Sequence, residues 1–519
     1  PWIHHELALI HEFQSDFSQA LIELEIANSL DTANPWSRLD HARLERLSGQ
    51  PSLAVSELNN VRNLALDLKV PQKFYELIDL EEALVQQDLF QFKTSEQLLM
   101  AIKGGNATEP SIREMAARAL CEQYLQERKY AAIEKLFHEF RHGADEGSGW
   151  GLLKARYHLA RNELPAALAA ITPFLQANPE VIRARELKAL ILSRMELPAA
   201  AFQEMQEIVR LSDTPAHRRT LEGYRMNLLA QLPSTDARWQ SALISLRLDD
   251  TESVLILPAI SRIKMVRLID LLNRFQVSEA FSRDEFKPHQ ARFFANLAIL
   301  QSAFEAGNWQ KSISQSLAIQ DSSISLLRSQ IMLLVREKQF SEARALLKKG
   351  VVLGLGEAQL SDIRGMILLT ENQYPEALNQ FDEALRLKPS AQLRAWRADC
   401  LMSLKRWNEA QADLTIALAS DPFHPEWRRL RAKTWQKMDR KDFSQIDLFL
   451  ASAEGQENLI VRSRLTIAAA MSFEATGNDQ SSSNFAQLIR ANWPELYQLE
   501  TGKIQDAKTD PDLQKAGVK

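Results

Sequence analysis

The sequence predicts an all-α solenoid built from stacked helical hairpins. Three observations carry that expectation. Glycine is scarce, with 17 in 519 residues, and long alternating Val/Ile/Thr runs are missing, so sheet is not expected. Small residues return at fixed intervals along most of the chain. An aromatic or leucine returns just ahead of successive helix starts.

The interval is easiest to see from the stretch NQYPEALNQFDEALRLKP, residues 372–389. Gly365, Ala377, Phe381, Ala384 and Pro389 are spaced by 12, 4, 3 and 5 residues. Thirty-three residues on, Ala398, Ala410, Leu414, Ala417 and Pro422 keep every spacing. Near the start, Ala8, Ala20, Leu24 and Ala27 return with the same mutual spacing as Ala42, Ala54, Leu58 and Val61. RNELPAA at 161–167 returns as RMELPAA at 194–200, and Ala155, Ala167, Ile171 and Pro179 fit the same template. The second marker reads DFSQA at 16–20, KYAAI at 129–133, NWQKS at 308–312, QFSEA at 339–343, QYPEA at 373–377 and RWNEA at 406–410.

Each unit then reads as a helix, a tight turn and a second helix. Apolar residues at i, i+3, i+4 and i+7 give each helix one buried stripe. Small residues such as Gly365 and Ala377 let the two helices approach closely, and Ala384 sits where the next unit's first helix must nest. Tyr374 or Trp407 plugs the turn. Pro375 suits a helix's first turn, where its missing N–H costs nothing, while Pro389 and Pro422 stop the second helix. A lone hairpin cannot bury its stripe, so the units must stack.

This skeleton resembles the tetratricopeptide repeat family, whose 34-residue period and Gly…Ala-x3-Phe…Pro pattern it matches. The resemblance implies a right-handed superhelical α-solenoid. Residues 358–390 fit best, although Ser361, Arg364 and Leu368 stand where the family usually has Trp, Leu and Tyr. It covers 1–68, 148–214 and 324–424 well, and 110–145, 216–249 and 425–495 less fully. The frame is lost between about 250 and 290, where SRDEFKPHQ at 282–290 reads as a polar loop. The expected organisation is a first solenoid segment over 1–249, an irregular helical joint or degenerate repeats over 250–291, a second segment over 292–497 and a polar tail over 498–519. About thirteen or fourteen hairpins are expected.

Composition sets further bounds. Hydrophobic residues at 45% and charged residues at 25% describe a folded chain. The net charge of −5 gives no polyelectrolyte signature, though residues 1–100 hold 16 Asp/Glu against 7 Lys/Arg. Cys121 and Cys400 are too far apart for a framework or metal knuckle and read as buried small hydrophobes, compatible with a reducing compartment. SVLILPAISRIKMVRLIDLL, residues 253–272, comes closest to a membrane span but is broken by Arg262, Lys264 and Arg267. The chain begins with Pro1, which leaves room for an upstream leader, anchor or further domain. The compartment stays open between a cytoplasmic protein and a periplasmic or anchored one.

One motif suggests catalysis. HEFRH, His138 to His142, is the H-E-x-x-H of zinc metallopeptidases: two histidines one turn apart to hold Zn²⁺, and Glu139 to activate its water. A third ligand would be sought in Asp145, Glu146 or Glu163. Against this, Ile133, Leu136, Phe137 and Phe140 form that helix's apolar stripe, which leaves His138 and His142 on the polar side, and Gly143 ends the helix. A plain repeat helix is the expectation, with no cofactor and no metal. GVVLGLGEAQL at 350–360 has Gln359 where a dinucleotide fingerprint wants glycine, and reads as a loop between repeats. EWRRLRAKTWQKMDRKD at 426–442 is the densest basic stretch. Its expected role is structural, with Trp427 and Trp435 packed and the charges in water; an acidic protein or a nucleic-acid backbone is the alternative.

The resemblance implies a protein-binding scaffold or adaptor, not an enzyme, in which the first helix of each hairpin lines a concave groove. Carried over, Asp362, Met366, Ala395 and Asp399 face that groove, joined by Arg429 and Lys433. The family members that grip chaperone carboxylates use Lys and Asn at these places, so that activity is not expected here. The expected partner is a protein or peptide, not a nucleic acid or a small-molecule substrate.

Overall fold

The computed structural model describes residues 1–13, 17–48, 50–105, 108–140, 149–248, 262–319, 323–421 and 424–452. Among these the chain forms 26 α-helices, one short 3-10 helix and no strand. No helix among the described residues is long and apolar enough to cross a membrane. The described residues form two compact units, Pro1–Pro179 with those from Arg440 on, and Glu180–Asp439.

The template positions are where packing is tightest. Ala8, Ala20, Ala42, Ala54, Ala155, Ala167, Ala377, Phe381, Ala384, Ala398, Ala410, Leu414 and Ala417 are all inaccessible to solvent. These are the places where two helices cross, and any larger side chain would push them apart. Within a hairpin, Gly365 shows the limit: a methyl group there would lie 2.6 Å from a ring carbon of Phe381.

The turns repeat as faithfully as the core. Phe90, Arg128, Asn162, Glu196, Glu305, Lys338, Asn372, Lys405 and Asp439 all adopt left-handed backbone with φ between 52° and 62°. Each follows the end of a hairpin's first helix, and over 128–196 and 305–439 neighbouring turns stand one repeat period apart. The next residue's N–H then reaches back to a helical carbonyl, as in Gln373 to Leu368 at 2.8 Å and Arg406 to Leu401 at 2.8 Å. That six-to-one bond satisfies an orphan carbonyl and reverses the chain within a few residues. The second helices end by another device. Asn178, Lys388 and Asp421 precede prolines, and all three leave the helix with φ of −133°, −149° and −145°, because a following proline disfavours helical backbone. Pro422 itself lies outside the described residues.

Within the joint, SRDEFKPHQ differs from its reading as a polar loop in burying Phe286. A helix over Arg262–Phe275, a turn of helix over Glu279–Ser282 and the 3-10 helix Lys287–His289 lead into Gln290–Ala303. Phe286, in the middle of the polar stretch, is buried against Phe275 at 5.2 Å and Phe281 at 5.2 Å, and Phe281 meets Phe293 at 4.9 Å. This segment is held by an aromatic knot instead of a repeat frame. Residues 249–261 and the expected polar tail at 498–519 lie outside the described residues.

The second unit contains one contact that nearest-neighbour stacking does not supply. Arg219, in the helix Pro215–Gln231, donates two hydrogen bonds of 2.9 Å to Asp421, which closes the helix Trp407–Ser420. The pair joins residues 202 apart in sequence; Asp421 is buried and Arg219 half-buried.

Candidate functional site

Four successive first helices in the second unit are Ile324–Arg336, Glu357–Thr370, Ala391–Ser403 and Pro425–Lys437. Residues four apart on a helix share a face. One row across these helices is therefore Arg328, Asp362, Ala395 and Arg429, and the row one turn on is Met332, Met366, Asp399 and Lys433; each residue stands one repeat period after its predecessor.

The charges in these rows answer one another across hairpins. Arg328 Nη1 lies 2.6 Å from Asp362 Oδ2. Burial pushes the Asp362 carboxyl above its ordinary value, and the Arg328 charge pulls it back only in part. Asp399 behaves alike: burial raises it, opposed by the ammonium of Lys433 one repeat on. Arg429 is turned to Glu426 at 2.9 Å, within its own helix. Met366 and Ala395 are buried, Ala395 among Ala398, Leu401 and Leu414. Of the six residues expected to line a groove, Asp399, Arg429 and Lys433 keep partial exposure.

The same logic runs through the first unit. Arg46 contacts Glu81 and Asp88, Gln87 Nε2 donates to Gln123 Oε1 at 3.1 Å, Trp150 Nε1 donates to Glu114 Oε1 at 3.1 Å, and Arg156 reaches Glu122 at 3.4 Å. Burial works against the Arg46 charge, but Glu81 and Asp88 outweigh it and hold the guanidinium above its usual value. First helices thus carry polar side chains whose partners stand about one repeat away. Neither helix alone could satisfy them, so the pairs fix the register of the stack.

Sequence reasoning named Asp362, Asp399 and Lys433 but missed Arg328. Arg328 stands one repeat period before Asp362 and was findable from the frame. Trp396 was missed too. Its ring centroid lies 5.8 Å from the Arg328 guanidinium carbon, within cation–π range.

The other motifs resolve into local structure. The helix Tyr130–Glu139 ends before the second histidine of HEFRH, and His138 is exposed. Both Glu139 carboxylate oxygens accept from Lys103 Nζ at 2.8 Å, so the residue proposed as a base is already paired. Glu163 meets His158 at 2.7 Å and Arg161 at 3.0 Å. His142, Asp145 and Glu146 lie outside the described residues. Among the described residues no three His, Cys, Asp or Glu side chains gather as metal ligands. Gln359 has a capping role: its Oε1 accepts from Gly356 N–H at 3.0 Å at a helix start. Cys121 and Cys400 are buried and unbridged, as expected.

The basic stretch at 426–442 needs one correction. Trp427 and Trp435 are packed, as expected, but Arg428 and Arg431 are buried with them and are not in water. Arg431 donates to Thr415 Oγ1 at 3.1 Å. The reason is periodicity: 427, 428, 431, 434 and 435 fall on one helical stripe, so two arginines share the tryptophans' face.

Tetratricopeptide repeat models match residues 152–214 and 368–434. The chain carries tetratricopeptide repeats. Their left-handed turns continue at Arg128, Lys338 and Asp439, outside the matched stretches. Several solved structures are similar at low identity. The peptide-binding repeat protein YrrB is 18% identical, covering 36% of this chain and 95% of its own, with a TM-score of 0.22. Yeast Tom70 is 14% identical over 97% of this chain and 98% of its own, at 0.23. Naa15/Naa10 bound to HypK-THB is 12% identical over 92% and 80%, at 0.34. Among curated proteins none matches the chain.

Proposed function

We propose that this tetratricopeptide-repeat chain is a non-catalytic scaffold that holds a protein or peptide segment on the face of four successive first helices of the second unit, from Ile324–Arg336 to Pro425–Lys437, in the assembly of a larger complex. The observation that carries this reading is the in-register double row from Arg328 to Lys433. It gathers charged and thioether side chains on one face, once in every repeat period. Asp399, Arg429 and Lys433 remain partly exposed there and offer both signs of charge to an extended chain. Affinity would come from covering the partly exposed stems of Met332, Arg429 and Lys433, and specificity from where the charges fall.

A site-specific crosslinker tests the reading. Benzoylphenylalanine in place of Lys433 should capture a protein partner in the native source, whereas the same group in place of Ile416, exposed on a second helix, should not. Equal capture at both positions, or none at Lys433, would overturn it.

A further inference from the structure

We propose that the chain pairs with a second copy of itself through the outer face of its first hairpin, Trp2–Phe13 and Phe17–Leu30, in a closed two-fold dimer. The face belongs to the first unit and is independent of the groove reading above.

Ile3, Leu7 and Ile10 recur at i, i+4 and i+7 on the first helix, and Ile22, Ile26 and Leu30 at i, i+4 and i+8 on the second, so each set shares one face. All six are exposed, by 36% to 59%. The ionic contacts of the two helices point elsewhere. His4 meets Glu23 at 2.6 Å across the hairpin, and His5 and Glu12 reach Asp40 and Arg43 of the next helix, both at 2.8 Å. The hairpin is thus tied to the stack on one side and leaves an aliphatic surface on the other.

The second hairpin shows how the fold uses this face. One repeat period on, Ile3, Leu7 and Ile10 become Ser37, His41 and Leu44. Ser37 and Leu44 are buried, Leu44 among Ala8, Ala20 and Leu24 of the first hairpin. There the face seats a helical hairpin. On the first hairpin it stays open to solvent, whereas a terminal repeat is ordinarily capped by a polar outer face.

Area and charge select a second copy as the occupant. With Trp2, 71% exposed at its edge, the face offers roughly 700 Å², taking about 200 Å² for each large side chain. Each partner of a stable dimer brings about 800 Å², and the largest apolar patch of a typical monomer is about 300–600 Å². Residues 1–30 contain no Lys or Arg. An anionic membrane, which interfacial helices grip with such residues, is therefore disfavoured, while two copies meet without burying a cation. Glu6 and Glu25 border the face and are exposed; at the rim of the contact, salt at about 0.1 M screens their repulsion beyond about 10 Å. A face that meets itself closes after two copies and builds no filament.

Sedimentation velocity of the full chain tests the proposal. The parent should run as a dimer at micromolar concentration. Ile10→Glu and Ile22→Glu, which put a charge into the dry contact, should each weaken association at least about a hundredfold with unchanged circular dichroism. Val352→Glu, at an 86% exposed site in the second unit, should leave the dimer intact. An equimolar mixture of Ile10→Glu and Ile10→Lys chains should pair more tightly than either alone, as a face that meets itself requires. A parent that stays monomeric at every soluble concentration would overturn the proposal, whether the face then binds phosphatidylcholine vesicles, another protein or residues that precede Pro1 in the source. A dimer that survives both glutamates, or a mixture no tighter than its components, would overturn it as well.

Discussion

Phe381 packs against Gly365 so closely that a Cβ on the glycine would meet ring carbons at 2.6 and 2.7 Å. The contact sets how near the two helices of this hairpin come. Gly365→Ala would gain about 1 kcal/mol of helix propensity. It must displace a fully buried ring, at a cost of about 1–3 kcal/mol. A net loss of stability of up to about 2 kcal/mol is expected in urea unfolding. The next hairpin carries Ala398 and Leu414 at the equivalent places, both buried. The double change Gly365→Ala with Phe381→Leu should therefore be less destabilising than the sum of its parts, and strict additivity would refute the packing argument.

The left-handed turns make a second prediction. Lys338 and Lys405 hold φ of 58° and 61° with side chains that clash there. Lys338→Gly should stabilise by about 1 kcal/mol, the cost of left-handed backbone for a residue with a Cβ. Asn372, at φ 62°, already suits the conformation; Asn372→Gly should change stability by a few tenths of a kcal/mol at most. Denaturation midpoints of the two variants, compared directly, decide the point.

A third prediction concerns pH. Burial pushes the Glu45 carboxyl up to about 7, helped by Glu57 and Glu25. Burial pushes the neighbouring His41 imidazole, 3.7 Å away, down from its ordinary value, with Arg38 adding to the push and Glu57 and Glu25 opposing it. Between pH 4.5 and 7 the folded chain keeps a proton on Glu45 that the unfolded chain has lost, so stability falls as pH rises through that window. A displacement of that size is worth about 3 kcal/mol, or about 1–2 after discounting for partial solvation. His41 acts oppositely, because its depressed value removes stability as pH falls below 6.5. Glu45→Gln should therefore be more stable than the parent at pH 8, and its stability should decline toward acid where the parent's stays level. Parallel pH profiles of the two proteins would contradict this account.

A fourth prediction tests the joint. Phe286 is buried in the aromatic knot, whereas Lys287 beside it is exposed and pairs only with Asp284 at 2.6 Å. Phe286→Ala should cost about 3 kcal/mol. Lys287→Ala should cost no more than about 0.5 kcal/mol. Thermal unfolding of both would show whether this segment is a core or a linker.

The repeat was legible because it is written in volume. Ala20, Ala54, Ala167 and Ala410 sit where only a methyl fits, and the spacing of such positions survives when their neighbours change. SRDEFKPHQ, read as a polar loop, is polar on average, and averages hide the buried Phe286. Arg428 and Arg431 were placed in water on charge alone, although their spacing from Trp427 and Trp435 puts them on the buried stripe. The rows at Asp362 and Asp399 were half legible: the frame gave the positions, but not that Arg328 and Lys433 one repeat away would answer them. Nothing periodic marks Arg219 and Asp421 as partners, because a contact between distant residues leaves no local pattern.

That last pair changes how the second unit must come apart. A stack held only by neighbours can unzip from either end, one hairpin at a time. With Arg219 bound to Asp421 across a sequence separation of 202, the hairpins between them form a closed circuit. Peeling the strip from the Asp439 end soon meets the clasp, and further tension falls on two hydrogen bonds instead of one inter-hairpin seam. Under load, this unit is a buckled belt, and it lengthens only after the buckle has opened.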